Sequence, residues 1–298
     1  MARNIISAKL DIIFKKLFTE NKDMLHSFVA SMLDMPPESI ERIEILNSEL
    51  PPESYSGKFS RLDLSLKADN RLINVEIQIK NEPDYRDRTL FYWAKLYSSE
   101  LKSGEGYSEL KQTITINIIN FNMFRGDDYH TEIAAVIKGT DEVFSDKFGI
   151  HFFELKKVNK KPNPDSRREL WLQFINADSE EDFEMISRTN VPIMQKAVQV
   201  IYDLSEDTRI RELARLREKA LHDEVSAIKN AKAEGELIGL EKGEAIGLEK
   251  GEAIGLEKGE AIGLEKGEAI GVQKERTAII EKMKAAGMTD EQIRAIIS

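Results

Sequence analysis

Hydrophobic and polar residues alternate with a period of two between residues 61 and 81, and this pattern predicts two β-strands. Leucine occupies every second position over 62–66, and isoleucine or valine every second position over 73–79, with a polar turn at 68–71 between the two runs. Because side chains alternate across a strand, we expect the aliphatic set to face the core. Glu76, Gln78 and Lys80 should then share the opposite, polar face.

The rest of the pattern predicts helices packed around a sheet. Apolar residues at helical spacing predict two helices within 9–33, one over 84–102 and several from residue 167 onward. Short β-rich runs at 40–46, 111–121, 133–137 and 150–155 predict further strands. Together these elements indicate an α/β fold, a mixed sheet flanked by helices.

Two carboxylates mark the polar face of the first hairpin. A simple hairpin lets Asp63 lie near Glu76, and two facing carboxylates repel each other unless a cation sits between them. Oxygen ligands of this kind suit Mg²⁺, Mn²⁺ or Ca²⁺. The alternative interpretation, on spacing alone, is the solvent-exposed face of an ordinary amphipathic hairpin.

Asp63 followed by Glu76-Ile77-Gln78 resembles the D…(E)x(K/Q) signature of the PD-(D/E)XK nuclease superfamily, and more closely the Rpn family of recombination-promoting nucleases and transposases. Further segments carry the resemblance in order: DIIFKKLF at 11–18, RTLFYWAKLYSSELKSGEGYSELKQTITINIINF at 88–121, HFFELKK at 151–157 and KAVQVIYDLSEDTRIRELARLREKALHDE at 196–224. The resemblance covers most of residues 1–234. One position departs from the superfamily pattern, because Gln78 stands where lysine is usual.

The resemblance implies a divalent-metal-dependent DNA endonuclease that promotes recombination, with Mg²⁺ as the first candidate and Mn²⁺ or Ca²⁺ as alternatives. It implies that Asp63, Glu76 and the Ile77 carbonyl hold the metal, and that Asp63, Glu76 and Gln78 are catalytic. The alternative from another class is a binding or regulatory protein on a weak or inactive nuclease fold, which acts through its repeat tail.

The resemblance places Arg88 and Tyr92 in a motif beside the catalytic sheet. Arg88 is the first candidate for a phosphate contact, by charge and donor geometry, and Lys80 and Tyr92 are further candidate DNA contacts. For Arg88 an ion pair with Asp84 or Asp87 is the competing interpretation. The densest basic run, at 156–168, is either a further DNA contact or a solvated loop.

Composition narrows the class of protein. The chain has no cysteine and a formal net charge of -10, so disulfides and thiol catalysis are excluded and any DNA contact must be a local basic surface. No phosphate-binding glycine motif supports a nucleotide cofactor. No apolar run is long enough for a bilayer and no signal peptide is evident, so we expect a cytoplasmic protein with no membrane contact. The four histidines have no metal-ligand spacing.

The C-terminal part is repetitive. GLEKGEAI occurs four times over 239–270, and glycine recurs at every fourth position from Gly235 to Gly271. Interior glycines disfavour a helix, so this Gly-rich octad-repeat tail predicts a weakly helical spacer that orders against a partner, in a homo-oligomer. The predicted domains are a nuclease domain at 1–200, a helical arm at 201–234, the repeat spacer at 235–272 and a helical hairpin at 273–298.

Overall fold

The computed structural model describes residues 5–47, 64–99, 101 and 104–297. Its helices are α1 (Asp11–Glu20), α2 (Lys22–Met32), α3 (Tyr85–Ser99), α4 (Arg167–Asn176), α5 (Glu180–Ser187), α6 (Pro192–Glu206), α7 (Thr208–Ala285) and α8 (Asp290–Ile297). Its strands are β1 (Ile43–Asn47), β2 (Leu64–Ala68), β3 (Arg71–Gln78), β4 (Gln112–Ile119), β5 (His130–Val136) and β6 (Val143–Glu154).

The strands form one mixed sheet in the order β1-β2-β3-β4-β6-β5. Strands β3, β4 and β6 are parallel neighbours at its centre, and β1, β2 and β5 are attached antiparallel. The predicted hairpin is present, since Ala68 pairs with Arg71 across a tight turn between β2 and β3. Its register places Leu64 opposite Val75 and Leu66 opposite Ile73.

The turn of this hairpin contains an aspartate in the left-handed region, Asp69, whose φ is 49°. An aspartate tolerates this region better than most residues, because its short side chain can bond to nearby backbone. Here the Asp69 carboxylate accepts hydrogen bonds from the backbone N–H groups of Glu41 (3.3 Å) and Arg42 (2.9 Å). The turn therefore fixes the chain that enters β1 as well as the hairpin itself.

The two faces of the sheet pack against different helices. The aliphatic face of β3 and β4 belongs to a core shared with α1, α2, α4 and α6, and this core includes Ile73, Val75 and Phe153. The opposite face packs against α3 and carries a smaller cluster around Tyr85, Ile119 and Phe152. Since parallel central strands are usually covered on both faces, this layering confirms the α/β prediction.

The polar face of β3 is not exposed to solvent, in contrast to the amphipathic-hairpin interpretation. Residues 72–77 are all buried, because α3 covers the face that carries Asn74 and Glu76. Helix α3 buries Tyr85, Thr89 and Leu96, while its outer side remains open to solvent. A period-two pattern shows which residues share a face, but it does not show whether another element covers that face.

The chain divides into two compact units, Met1–Leu221 and His222–Ser298. The octad repeats lie within α7, a continuous helix of 78 residues, where the sequence predicts only weak helicity. A helix that already begins at Thr208 needs no new nucleus to continue, so leucine, glutamate, lysine and alanine can propagate it through the glycines. The finer domain boundaries at 200, 234 and 272 stay a prediction.

The second unit contains a turn between α7 and α8. Gly287 has a φ of 87°, which favours glycine, and follows the end of α7. The side chain of Gln292 accepts a hydrogen bond from the Thr289 N–H at 3.0 Å, as in a capping box. Among the helices of the described residues, none combines the length and apolar character that crossing a membrane requires.

Candidate active site

The candidate site lies on the α3 face of the central strands. In the register of β3 and β4, Asn74 is opposite Thr115 and Glu76 is opposite Asn117. Alternation along β3 places Asn74, Glu76 and Gln78 on this same face. The three side chains therefore project from β3, whose backbone pairs with β4 over this whole stretch.

Glu76 is a buried carboxylate, with a relative exposure of 9%. The side-chain amide of Asn74, itself fully buried, donates a hydrogen bond from Nδ2 to Glu76 Oε1 at 3.0 Å. A carboxylate is costly to bury unless it is paired or hydrogen-bonded, so this contact both compensates the burial and orients the carboxylate.

Two further oxygens next to this pair have no hydrogen-bond partner in the described part of the chain. They are Asn74 Oδ1 and Thr115 Oγ1, which belong to directly opposed residues of β3 and β4. Buried polar atoms are normally hydrogen-bonded, and an unsatisfied one costs stability. Such atoms beside a buried carboxylate are the kind of exception that functional sites contain.

A hydrogen-bonded chain links α3 to the strand beside Glu76. The Tyr85 hydroxyl donates to Asn117 Oδ1 at 3.1 Å, and Asn117 Nδ2 donates to the His151 carbonyl at 3.1 Å. The guanidinium of Arg88 lies 4.9 Å from the centre of the Tyr85 ring. Helix α3 is thereby fixed over the site by polar contacts as well as by apolar packing.

Arg88 forms an ion pair with Glu82, so neither Asp84 nor Asp87 is the partner that the sequence suggested. Tyr92 is half-buried on α3, in contact with the ring of Phe91 at a centroid distance of 5.9 Å. Lys80 is also half-buried, just beyond the end of β3. The structure places Lys80, Arg88 and Tyr92 on or next to elements that border the site, and their contact with DNA stays a prediction.

The remaining predicted site residues are Asp63, Ile77 and Gln78. Asp63 lies outside the described residues; it precedes Leu64, whose partner Val75 precedes Glu76. The Ile77 side chain is buried in the core on the opposite face. Gln78 is half-buried, and its carbonyl accepts a hydrogen bond from the Asn120 N–H at 2.9 Å.

The donor chemistry of the described residues fits a hard divalent cation. The carboxylate of Glu76 and the unsatisfied oxygens of Asn74 and Thr115 are all oxygen donors, which Mg²⁺, Mn²⁺ and Ca²⁺ prefer. Within the described ranges no group of three or more His, Asp or Glu residues is placed to hold a metal ion. The predicted second carboxylate, Asp63, is not among those ranges.

A second polar cluster lies on the other face of the sheet, and sequence spacing did not indicate it. His130 Nε2 and His151 Nδ1 are 3.0 Å apart, and the His130 ring stacks on Phe153 at 4.5 Å between centroids. Burial, followed by the positive charge of Arg168, lowers the pKa of both imidazoles to about 4. Both rings are therefore neutral at pH 7, and the cluster is a structural one.

Three residues of the site, Asn74, Thr115 and Asn117, are not among those that the sequence indicated. Alternation could have found Asn74, since it lies two residues before Glu76 on the same strand. Thr115 and Asn117 join the site only through the parallel register between β3 and β4, which local patterns do not predict.

The chain is similar to one described protein family over most of the first unit. A family model described as PD-(D/E)XK nuclease family transposase matches residues 8–231. Neither the curated proteins nor the solved structures contain a significant match to the chain. The family match covers every described residue of the candidate site.

Proposed function

The chain belongs to the PD-(D/E)XK nuclease family of transposases, and on that premise we propose that it is a divalent-metal-dependent DNA endonuclease whose cuts promote recombination. The observation that carries the proposal is the buried Glu76 carboxylate, held by Asn74 on the central parallel strand. A carboxylate kept buried next to unsatisfied oxygens has no evident use in packing, whereas binding a cation would use all of these donors.

In this proposal Asp63, Glu76 and the Ile77 carbonyl hold the ion, with Mg²⁺ as the first candidate. The bound ion would polarise the scissile phosphate and lower the pKa of an attacking water. The contribution of Asn74 is to hold Glu76 in one orientation through its 3.0 Å hydrogen bond. Positioning groups of this type are what keep ligand geometry fixed around a metal.

Gln78 takes the place of the usual lysine. Its amide can orient a water or a phosphate oxygen by hydrogen bonding, but it supplies no positive charge. We therefore propose slower cleavage than with lysine, by about 10²-fold, the order expected for loss of one electrostatic donor. The Asn120 N–H bond to the Gln78 carbonyl holds the backbone from which this side chain projects.

Lys80, Arg88 and Tyr92 are proposed to contact the DNA. Arg88 suits a phosphate because its planar guanidinium has more donors than its ion pair with Glu82 uses. Tyr92 lies one helical turn beyond Arg88 on α3, so the two side chains project from the same side of that helix.

The test is plasmid cleavage by the parent chain and by Glu76→Gln, in EDTA and with Mg²⁺, Mn²⁺ or Ca²⁺ added. Glutamine keeps the shape and an oxygen that can accept from Asn74, so the fold should persist while cleavage falls by at least about 10²-fold. Glu132→Gln, which alters an exposed carboxylate on β5, is the matched control and should cut like the parent. Equal metal-dependent cutting by both variants would exclude Glu76 as a catalytic ligand.

A parent chain that binds DNA but does not cut it with any of the three ions would instead favour the regulatory alternative. The presence of glutamine rather than lysine at position 78 is the observation behind that alternative.

We also propose that the protein is a homo-oligomer assembled through its second unit. The leucines and isoleucines of the repeats are largely exposed along α7, as in Leu248 at 69% and Ile254 at 51%. Repeated exposed apolar residues of this kind favour association over isolation in water.

A further inference from the structure

A pocket of about 530 Å³ opens in the first unit where strands β4 and β6 end. Asn120, which follows β4, and Leu155 and Lys156, which follow β6, form part of its wall. Asn120 also donates its backbone N–H to the carbonyl of Gln78 at 2.9 Å. The pocket wall is thus hydrogen-bonded to Gln78, the last residue of β3. The pocket lies at the carboxyl ends of parallel strands, which is where α/β proteins commonly bind ligands.

The carboxylates and the lysines that face this pocket differ in how far they are already engaged by other side chains. The two carboxylates of the wall are already engaged: Asp178 accepts from Lys9 Nζ at 2.7 Å, and Asp182 accepts from the Ser179 hydroxyl at 2.7 Å. Lys156 and Lys160 also line the pocket, and both are exposed. Neither forms an ion pair within the part of the chain that the structure describes, although Lys160 interacts electrostatically with Asp182. The available charge of the pocket is therefore positive.

Two other members of the basic run, Lys157 and Arg168, serve the fold. Lys157 pairs with Glu154 at 2.6 Å, and Arg168 donates to the Ser31 carbonyl at 3.0 Å. These contacts engage Lys157 and Arg168 within the first unit, so the DNA surface that the sequence suggested does not extend over the whole run. Lys156 and Lys160 are the members of the basic run that line the pocket.

Gln173 supplies a second indication that the pocket holds a ligand. It lines the pocket with a relative exposure of 6%, and its Nε2 donates to the carbonyls of Asn159 and Lys161, both at 2.8 Å. Its Oε1 has no hydrogen-bond partner in the described residues. Since a buried acceptor of this kind needs a donor, a phosphodiester of DNA, which carries no proton, does not satisfy it, whereas the amino or imino group of a nucleobase does.

We propose that this pocket is a DNA subsite that holds one unpaired nucleotide of the substrate strand. Lys156 and Lys160 contact its flanking phosphates, and the base enters the pocket with a donor group toward Gln173. The volume is in the range of small-molecule sites and accommodates a nucleotide. This inference rests on the proposed function, because it takes DNA to be the substrate.

The test is fluorescence anisotropy with the full-length chain in EDTA, so that binding is measured without cleavage. The probes are a blunt duplex and the same duplex with a three-nucleotide single-stranded end. Lys156→Ala/Lys160→Ala is compared with Lys161→Ala/Arg167→Ala, which removes two exposed charges from the same segment but none from the pocket. Circular dichroism confirms that each variant is folded.

We expect the parent to prefer the single-stranded end, and only the pocket variant to lose that preference. For that probe the slope of log K against log salt, which is negative, should also become less steep by about 1.4 in the pocket variant. Each phosphate contact to a single strand contributes about 0.7 to the steepness, and the variant loses two. An equal loss in the two double variants, or no loss in the pocket variant, overturns the subsite. If either of those results is found and the parent still cuts plasmid, only the subsite proposal is overturned. If the parent binds no DNA, the proposed nuclease function is overturned as well.

Discussion

Helices α6 and α7 are both regular, yet they use their apolar residues in opposite ways. In α6 the residues Met194, Ala197, Val198 and Ile201 lie on one side of the helix and are all buried. In the repeat section of α7 each octad contains one leucine and one isoleucine, but the leucine at position 248 remains 69% exposed. The difference extends to the units that contain these segments, because the first has an aromatic core and the second has little buried surface.

The period of the sequence explains this difference. The α6 spacing matches the 3.6 residues of a helical turn, so its apolar side chains keep to one face. Eight residues advance a helix by about 800°, so equivalent leucines move about 80° around the axis with each repeat. No lasting apolar face can form on the repeats, and helical structure there does not imply a packed core.

Removing the repeats tests whether the second unit works through association. A chain truncated after Glu234 should keep the unfolding midpoint of the first unit, whose core it retains. If the exposed apolar residues mediate assembly, the particle mass should fall to that of a monomer, as measured by multi-angle light scattering. An unchanged number of chains per particle would show that the repeats are a passive spacer.

The aromatic core of the first unit should give the largest loss of stability from a single substitution. Trp171 lies 5.6 Å from Phe18 and 5.9 Å from Phe28 between ring centroids, and its indole N–H donates to Ser27 Oγ at 3.1 Å. Trp171→Ala should therefore lower the free energy of unfolding, measured by urea titration, by about 3–5 kcal/mol.

Hydrogen exchange would show where that loss is felt. Amides of α4 and the sheet should exchange faster in Trp171→Ala, while those of the repeats should not change. Phe91→Ala is the control, since Phe91 is 61% exposed and should matter little. Faster exchange throughout the repeats would show that the two units unfold together.

The histidine cluster should make the first unit sensitive to acid. The folded-state pKa of His130 and His151 is about 4, below the usual 6.5, so their contribution is complete above pH 6.5 and is lost as the pH falls toward 4. The loss should be on the order of 2 kcal/mol, because His130 keeps some contact with solvent, which screens part of the effect.

Urea titrations of the parent and of His151→Gln between pH 7.5 and 4 measure this effect. The variant should lose less stability over that range, since one imidazole no longer becomes protonated. Carboxylates titrate in both proteins and so cancel in the comparison. If the free energy of unfolding falls by the same amount in the two proteins as the pH is lowered, the lowered pKa of His151 is contradicted.

Glycine replacement in the repeats should give the smallest change, and in the opposite direction. A Cβ added at Gly247 or Gly255 meets no atom within 4 Å, so alanine fits the helix. Each Gly→Ala change should stabilise the helix by about 0.5–1 kcal/mol, seen as slower amide exchange around the site.

Gly287 provides the contrast, because its φ of 87° strains any residue with a side chain. Gly287→Ala should destabilise the turn into α8. A fall in particle mass on Gly247→Ala would indicate that the repeats use glycine for close contact between chains.

Much of this molecule follows from local pattern alone. Period-two alternation placed Leu64, Leu66, Ile73 and Val75 on one face of a hairpin, and the structure confirms both the hairpin and that face. The helix end at Gly287 and the capping box that follows it were likewise predictable. These features depend on residues a few positions apart, whose steric and hydrogen-bonding preferences act locally.

Tertiary structure alone decided what those faces meet. The parallel register placed Asn117 beside Glu76, α3 buried the face that alternation labelled polar, and two histidines 21 positions apart came within hydrogen-bonding distance. The same packing turned Lys157 inward and left Lys156 facing a pocket. Such contacts join residues far apart in the chain, and their geometry is set by how whole elements pack, so the local pattern of any one segment does not contain it.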